Sequence, residues 1–141
     1  MVNHLGEIVA TKVTSANVHD TKPVEELATG LTDKLYGDKG YLSERLKSNL
    51  SDRGVTLITT VRKNMKAKTM SLWDRAMLSK RFIIETINDQ LKNISFIEHS
   101  RHRSMNGFML NLLAGLVAYC LKKDKPSLDI TDVERNSMVV A

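Results

Sequence analysis

The hydrophobic and polar positions change period several times along this chain. "GEIVATKVT" (residues 6–14) is rich in β-branched residues behind a glycine and predicts a strand. "DTKPVEELATG" (20–30) offers an N-cap candidate, Pro23 in the first turn, acidic residues near the start and a closing glycine, so a short helix is expected. "KLYGDKGY" (34–41) predicts a brief strand ending in a glycine-flanked aspartate. Ser43, followed by Leu46 and Leu50, then opens a helix that Gly54 closes. "VTLITTV" (55–61) is a continuous apolar and β-branched run, the pattern of a strand buried on both faces.

The polar, basic stretch "RKNMKAKTMS" (62–71) interrupts this order and predicts a loop. A long helix over about residues 73–94 and a second, apolar helix over about 104–123 follow, and the tail after Pro126 has little to bury. Strands that alternate with helices indicate an α/β fold. The expected organisation is one domain over residues 1–123 with a disordered tail over 124–141.

Composition adds modest bounds. A chain of 141 residues with 42% hydrophobic content can build one core. The single Cys120 lies in "LLAGLVAYCLKK", which rules out a disulfide framework and predicts a buried, inert thiol in a reducing compartment. The start "MVNHLGEIVATKV" has neither the basic nor the apolar region of a leader, and the apolar run at 108–121 is too short to span a bilayer. A cytoplasmic protein is the expectation.

Charge changes the picture more. Residues 1–52 hold six Lys/Arg against eight Asp/Glu, 53–103 hold eleven against four, and 104–141 hold four of each. The basic middle third suits a polyanion such as nucleic acid, and a well-solvated lysine-rich surface accounts for it equally well.

In "SKRFIIETINDQLKN" (79–93), with Arg81 as zero on an ideal helix, Glu85 falls at about 40°, Asn88 at about 340° and Lys92 at about 20°. These four share one polar stripe, and Ile83, Ile84, Ile87, Leu91 and Ile94 form the opposing apolar face. Alone, the stripe is a surface ladder in which Arg81 and Glu85 pair at i, i+4 for a few tenths of a kcal/mol. Asp38 alters that reading. In "GDKGY" it follows a strand between Gly37 and Gly40, which allow a sharp turn, and strand carboxyl ends are where sites form in open α/β sheets. Taken singly, Asp38 is a turn-forming residue. Together, Asp38 and Glu85 are oxygen donors for a hard divalent cation, with Arg81 and Lys92 beside them as phosphate contacts.

"YGDKGY", "LITTVRKNMK", "RFIIETINDQLKNISFIEHSRHRS" and "NLLAGLVAYC" resemble the C-terminal part of DDE-type bacterial insertion-sequence transposases, closest to the insertion-sequence nine-eight-two family, over roughly residues 5–121. The resemblance implies a ribonuclease-H-like fold, with two aspartates and a glutamate holding Mg²⁺ or Mn²⁺ for DNA strand cleavage and transfer. Asp38 matches the second aspartate and Glu85 the glutamate. Arg81 and Lys92 match the basic residues of the signature Tyr-x2-Arg-x3-Glu-x6-Lys, whose tyrosine position is Leu78 here. The first catalytic aspartate lies upstream of the matching segment in that family, so the expectation is a fold truncated at its N-terminus, lacking its first strands and inactive alone. The implied partners are element-end and target DNA, with a second copy or a full-length transposase beside it, and the implied location is the bacterial cytoplasm at the nucleoid.

In "RKNMKAK", Arg62, Lys63 and Lys66 are expected near the DNA backbone, and Arg101 and Arg103 of "EHSRHRS" as phosphate contacts or part of a capping loop. His4 and His19 have no ligand-like spacing, so no zinc site is expected. The competing function is a DNA-binding remnant without catalysis that regulates a full-length transposase.

Overall fold

Within residues 43–59 each local signal is met. The Ser43 hydroxyl accepts the Leu46 N–H at 3.3 Å and caps helix α2 (Glu44–Ser51). Gly54 then takes φ +79°, a left-handed turn that suits glycine, and leads into strand β2 (Val55–Thr59). The structure, a computed structural model, describes residues 1–60, 70–97 and 101–128. These fall into two units, one of Met1 with Ala10–Arg81 and the other of Val2–Val9 with Phe82–Leu128.

In the first unit, helix α1 (Val24–Leu27) leads to strand β1 (Asp33–Gly37), which pairs parallel with β2 in the register Asp33 to Val55 through Gly37 to Thr59. The connection through α2 makes this a β-α-β unit. Val24, Ala28, Leu46, Leu50, Val55 and Leu57 form its core, with Leu50 wholly buried. Helix α3 (Leu72–Ser79) packs on both strands. Mixed helix and parallel strand content is that of an α/β protein.

The second unit holds α4 (Ile83–Asn93) and α5 (Met105–Leu121). Ile83 and Ile87 of α4 bury against Tyr119 of α5, and Val2, Ile8, Leu91 and Leu128 pack around them. The Tyr119 hydroxyl donates to the Gly6 carbonyl at 2.7 Å.

Several expectations change. Residues 6–14 form no strand: Gly6 at φ +74° sits in a turn held by Asn3, and Val2 with Ile8 makes an isolated antiparallel bridge. β-branched residues favour a strand only where a ladder partner exists, and the sheet of the described residues contains β1 and β2 alone. β2 is not buried on both faces, since Thr56 is exposed between buried Val55 and Leu57. The helix expected over 73–94 is broken: Ser79 Oγ donates back to the Ala76 carbonyl at 2.8 Å, and Lys80–Phe82 tighten to a 3₁₀ turn between α3 and α4. Cys120 is exposed, because it lies about 100° around α5 from the buried Tyr119. No helix of the described residues is long and apolar enough to cross a membrane.

Candidate active site

Asp38 stands directly after β1. Its backbone is extended at φ −73° and ψ 166°, and its Oδ1 accepts the Lys39 N–H at 2.6 Å, capping the 3₁₀ turn Lys39–Tyr41. The turn-forming role is therefore real, and neither Gly37 nor Gly40 needs a positive φ to make it. The same Oδ1 lies 3.4 Å from Arg81 Nη1, with about two-fifths of each side chain exposed (39% for Arg81, 41% for Asp38). Such an exposed pair contributes roughly 0–1 kcal/mol. Tyr41 closes the turn, and burial, then the charges of Asp20 and Asp38, push its hydroxyl pKa up.

Arg81 is thus not part of a helical stripe with Glu85. The break between α3 and α4 places it in the 3₁₀ turn of the first unit, where its guanidinium meets Asp38. Glu85 lies exposed in the first turn of α4, and Lys92 lies exposed in the last, each at the end of the helix dipole that favours its charge. Arg101 and Arg103 are exposed just before α5. Arg62, Lys63 and Lys66 lie outside the described residues. Asp38 and Arg81 are brought together, and no cluster of three or more His, Cys, Asp or Glu side chains forms among the described residues.

A second cluster lies beside this pair. Asp74, in the first turn of α3, is the one buried charged side chain among the described residues. Its Oδ1 accepts from Lys34 Nζ at 2.9 Å and from the Tyr36 hydroxyl at 2.8 Å, and its Oδ2 accepts from Ser71 Oγ at 2.7 Å. Ser71 Oγ in turn accepts the Asp74 N–H at 3.1 Å, which caps α3. Burial pushes the Asp74 carboxyl up, but the hydrogen bonds from Ser71, Lys34 and Tyr36 outweigh it and hold the pKa below its ordinary value. Burial and then the bond to Asp74 drive the Tyr36 hydroxyl well above its own. The sequence does carry a sign of this cluster: Ser71-x-x-Asp74 is a capping-box pattern, and Lys34 and Tyr36 share one face of a strand. Which strand that helix turn meets is written nowhere locally.

Neither the curated proteins nor the solved structures offer a match to this chain. The family described as "Transposase DDE domain" matches residues 1–105, which takes in β1 with Asp38, the turn with Arg81 and all of α4 with Glu85. That match covers about three quarters of the chain, so the chain belongs to the transposase DDE domain family.

Proposed function

We propose that this chain is a DNA-contacting part of an insertion-sequence transposase of the nine-eight-two type, in which Asp38 and Glu85 are two of the catalytic carboxylates. The family acts in DNA cleavage and transfer, with DNA as partner. The observation that carries the reading is the Arg81 guanidinium held at Asp38, directly after β1. A cation parked on a carboxylate at a strand end can take a phosphate oxygen while that carboxylate turns to another partner. Arg81, Lys92, Arg101 and Arg103 are the described cations of the reading, and Arg62, Lys63 and Lys66 extend it outside the described residues.

Asp38 and Glu85 are each, by donor chemistry, carboxylates of the kind that bind a divalent ion: Glu85 is exposed, and Asp38 is half-exposed with both of its contacts on Oδ1. Mg²⁺ or Mn²⁺, when bound, supplies charge neutralisation at phosphate oxygens. Arg81 binds and orients the phosphate, and the capped turn at Lys39–Tyr41 fixes the direction of the Asp38 side chain. The resemblance supplies two of the three catalytic carboxylates, Asp38 and Glu85, so the reading expects the isolated chain to bind DNA without cutting it. A second copy or a full-length transposase then completes the reaction.

Fluorescence anisotropy with a labelled duplex tests this. Binding should weaken as salt rises, and Arg81→Ala should lower the slope of log K against log salt by about 1. Asp38→Ala and Glu85→Ala should leave DNA binding in place while abolishing the retention of Mn²⁺ seen by electron paramagnetic resonance. Retained Mn²⁺ binding in both variants would reduce the function to DNA contact alone, and absence of binding at low salt would remove both readings.

A further inference from the structure

The contact between Arg81 and Asp38 is too weak to orient a helix, so something else must bring Arg81 there. Three observations of the first unit identify it. Lys34, Tyr36 and Asp38 recur every second residue along β1 and just beyond it, the spacing of one strand face. Lys34 and Tyr36 reach Asp74 in the first turn of α3, and Asp38 reaches Arg81 just past its last turn. Early positions of the helix therefore meet early positions of the strand, and late meet late, so α3 runs in the direction of β1.

The spacings agree. From Asp74 to the end of α3 at Ser79 is five residues, about 7.5 Å of rise, and two more residues into the 3₁₀ turn, at about 2 Å each, put Arg81 about 11–12 Å beyond Asp74. From Lys34 and Tyr36 to Asp38 is four and two residues, about 13 and 7 Å along a strand. The two contacts thus act as two pins of one docked helix. They differ in strength: the Asp74 carboxylate is buried and receives three side-chain hydrogen bonds, whereas Arg81 and Asp38 are both half-exposed. Bonds to a buried charge are the strong kind, and the exposed pair follows from them.

We propose that Asp74 is a positioning residue: by pinning the first turn of α3 to Lys34 and Tyr36 of β1, it delivers the Arg81 guanidinium to the carboxylate of Asp38. Asp74 itself touches no phosphate in this arrangement. It acts through the rigid body of α3, and it sets where a phosphate held by Arg81 lies relative to Asp38. This rests on the reading of Arg81 and Asp38 as the DNA-contacting site.

The test is nuclear magnetic resonance of the Arg81 side-chain Nε–Hε group in the full chain. Asp38→Asn gives the reference position of an Arg81 without its pair. Asp74→Asn should move the resonance to that position, and Tyr36→Phe, which removes the Tyr36 bond to Asp74, should move it part of the way. Backbone amides of Leu46, Leu50 and Val55 should stay in place in all three variants. In DNA binding, Arg81→Ala should cost about fivefold in the native background and under twofold in the Tyr36→Phe or Asp74→Asn background. An Arg81 resonance unmoved by both Tyr36→Phe and Asp74→Asn would overturn the positioning role whether or not the chain binds DNA. A displaced resonance together with an Arg81→Ala variant that binds DNA normally would instead uphold the positioning and sink the DNA-contact reading.

Discussion

Replacement of the buried Asp74 by Ala should destabilise the first unit, and its cost can be worked from its partners. The substitution removes acceptors from Lys34, Tyr36 and Ser71, while Ser71 Oγ keeps the backbone N–H of residue 74 and the helix cap survives. Each bond to a charged acceptor contributes about 1.5–3 kcal/mol net. That figure must be discounted, because Ser71 is exposed and the Lys34 side chain is 38% exposed, so water replaces part of what they lose. The carboxylate also gives back the cost of its own burial. The remainder is about 2–3 kcal/mol, or roughly a 7–12 °C fall in Tm for a chain of this size. Urea unfolding followed by tryptophan fluorescence measures it directly, because Trp73, the only tryptophan, lies beside Asp74 on α3. Tyr36→Phe should cost about 1 kcal/mol by the same assay. A loss below about 0.5 kcal/mol for Asp74→Ala would mean that burial of the carboxylate cancels its bonds, and the pinning of α3 would have to come from apolar contacts.

The other expectations use the same side chains and the second unit. Asp74 has a depressed pKa in the folded chain, so its contribution is present above the unfolded value of about 3.9 and lost as pH falls towards the folded one. The stability difference between native and Asp74→Asn protein should therefore shrink between pH 5 and pH 2, and a constant difference across that range would contradict the assignment. Burial chiefly raises the hydroxyl pKa of all three tyrosines, Tyr36, Tyr41 and Tyr119, so absorbance at 295 nm should show no half-titration at pH 10 until the chain unfolds. One tyrosine that ionises near pH 10 in folded protein would refute the burial of its hydroxyl. In the second unit, Gly6→Ala drives a Cβ into the Pro126 carbonyl oxygen at φ +74°, and it should cost about 2 kcal/mol or more in Tm-derived stability. A neutral Gly6→Ala variant would mean that the turn at Asn3 relaxes freely.

Much of the first unit was legible because its signals are local. Ser43 caps α2, Gly54 ends it, β2 begins at once, and each event lies within a few residues of its cause. Asp38 was legible for the same reason, as an aspartate that follows a strand. The strand expected at residues 6–14 was not decidable locally, since β-branched side chains specify a strand only when another strand offers its hydrogen bonds. Asp74 was hidden by distance: its partners Lys34 and Tyr36 lie 40 and 38 residues away, and its capping pattern accounts for Ser71 alone.

The partner of Arg81 shows why periodicity can mislead at a site. At 100° per residue Arg81 and Glu85 share a stripe, and that geometry holds only while the helix is unbroken. Ser79 donates to the Ala76 carbonyl, the next three residues tighten to a 3₁₀ turn, and Arg81 leaves the frame in which Glu85 was counted. Glu85, Asn88 and Lys92 keep their shared face on α4, because the break lies before them. Arg81 takes its direction from α3, and α3 takes its own from the bonds of Lys34 and Tyr36 of β1 to Asp74. The spacing of Arg81, Glu85 and Lys92 is thus a fact of sequence that a 3₁₀ turn and the helix after it, not one continuous helix, translate into space.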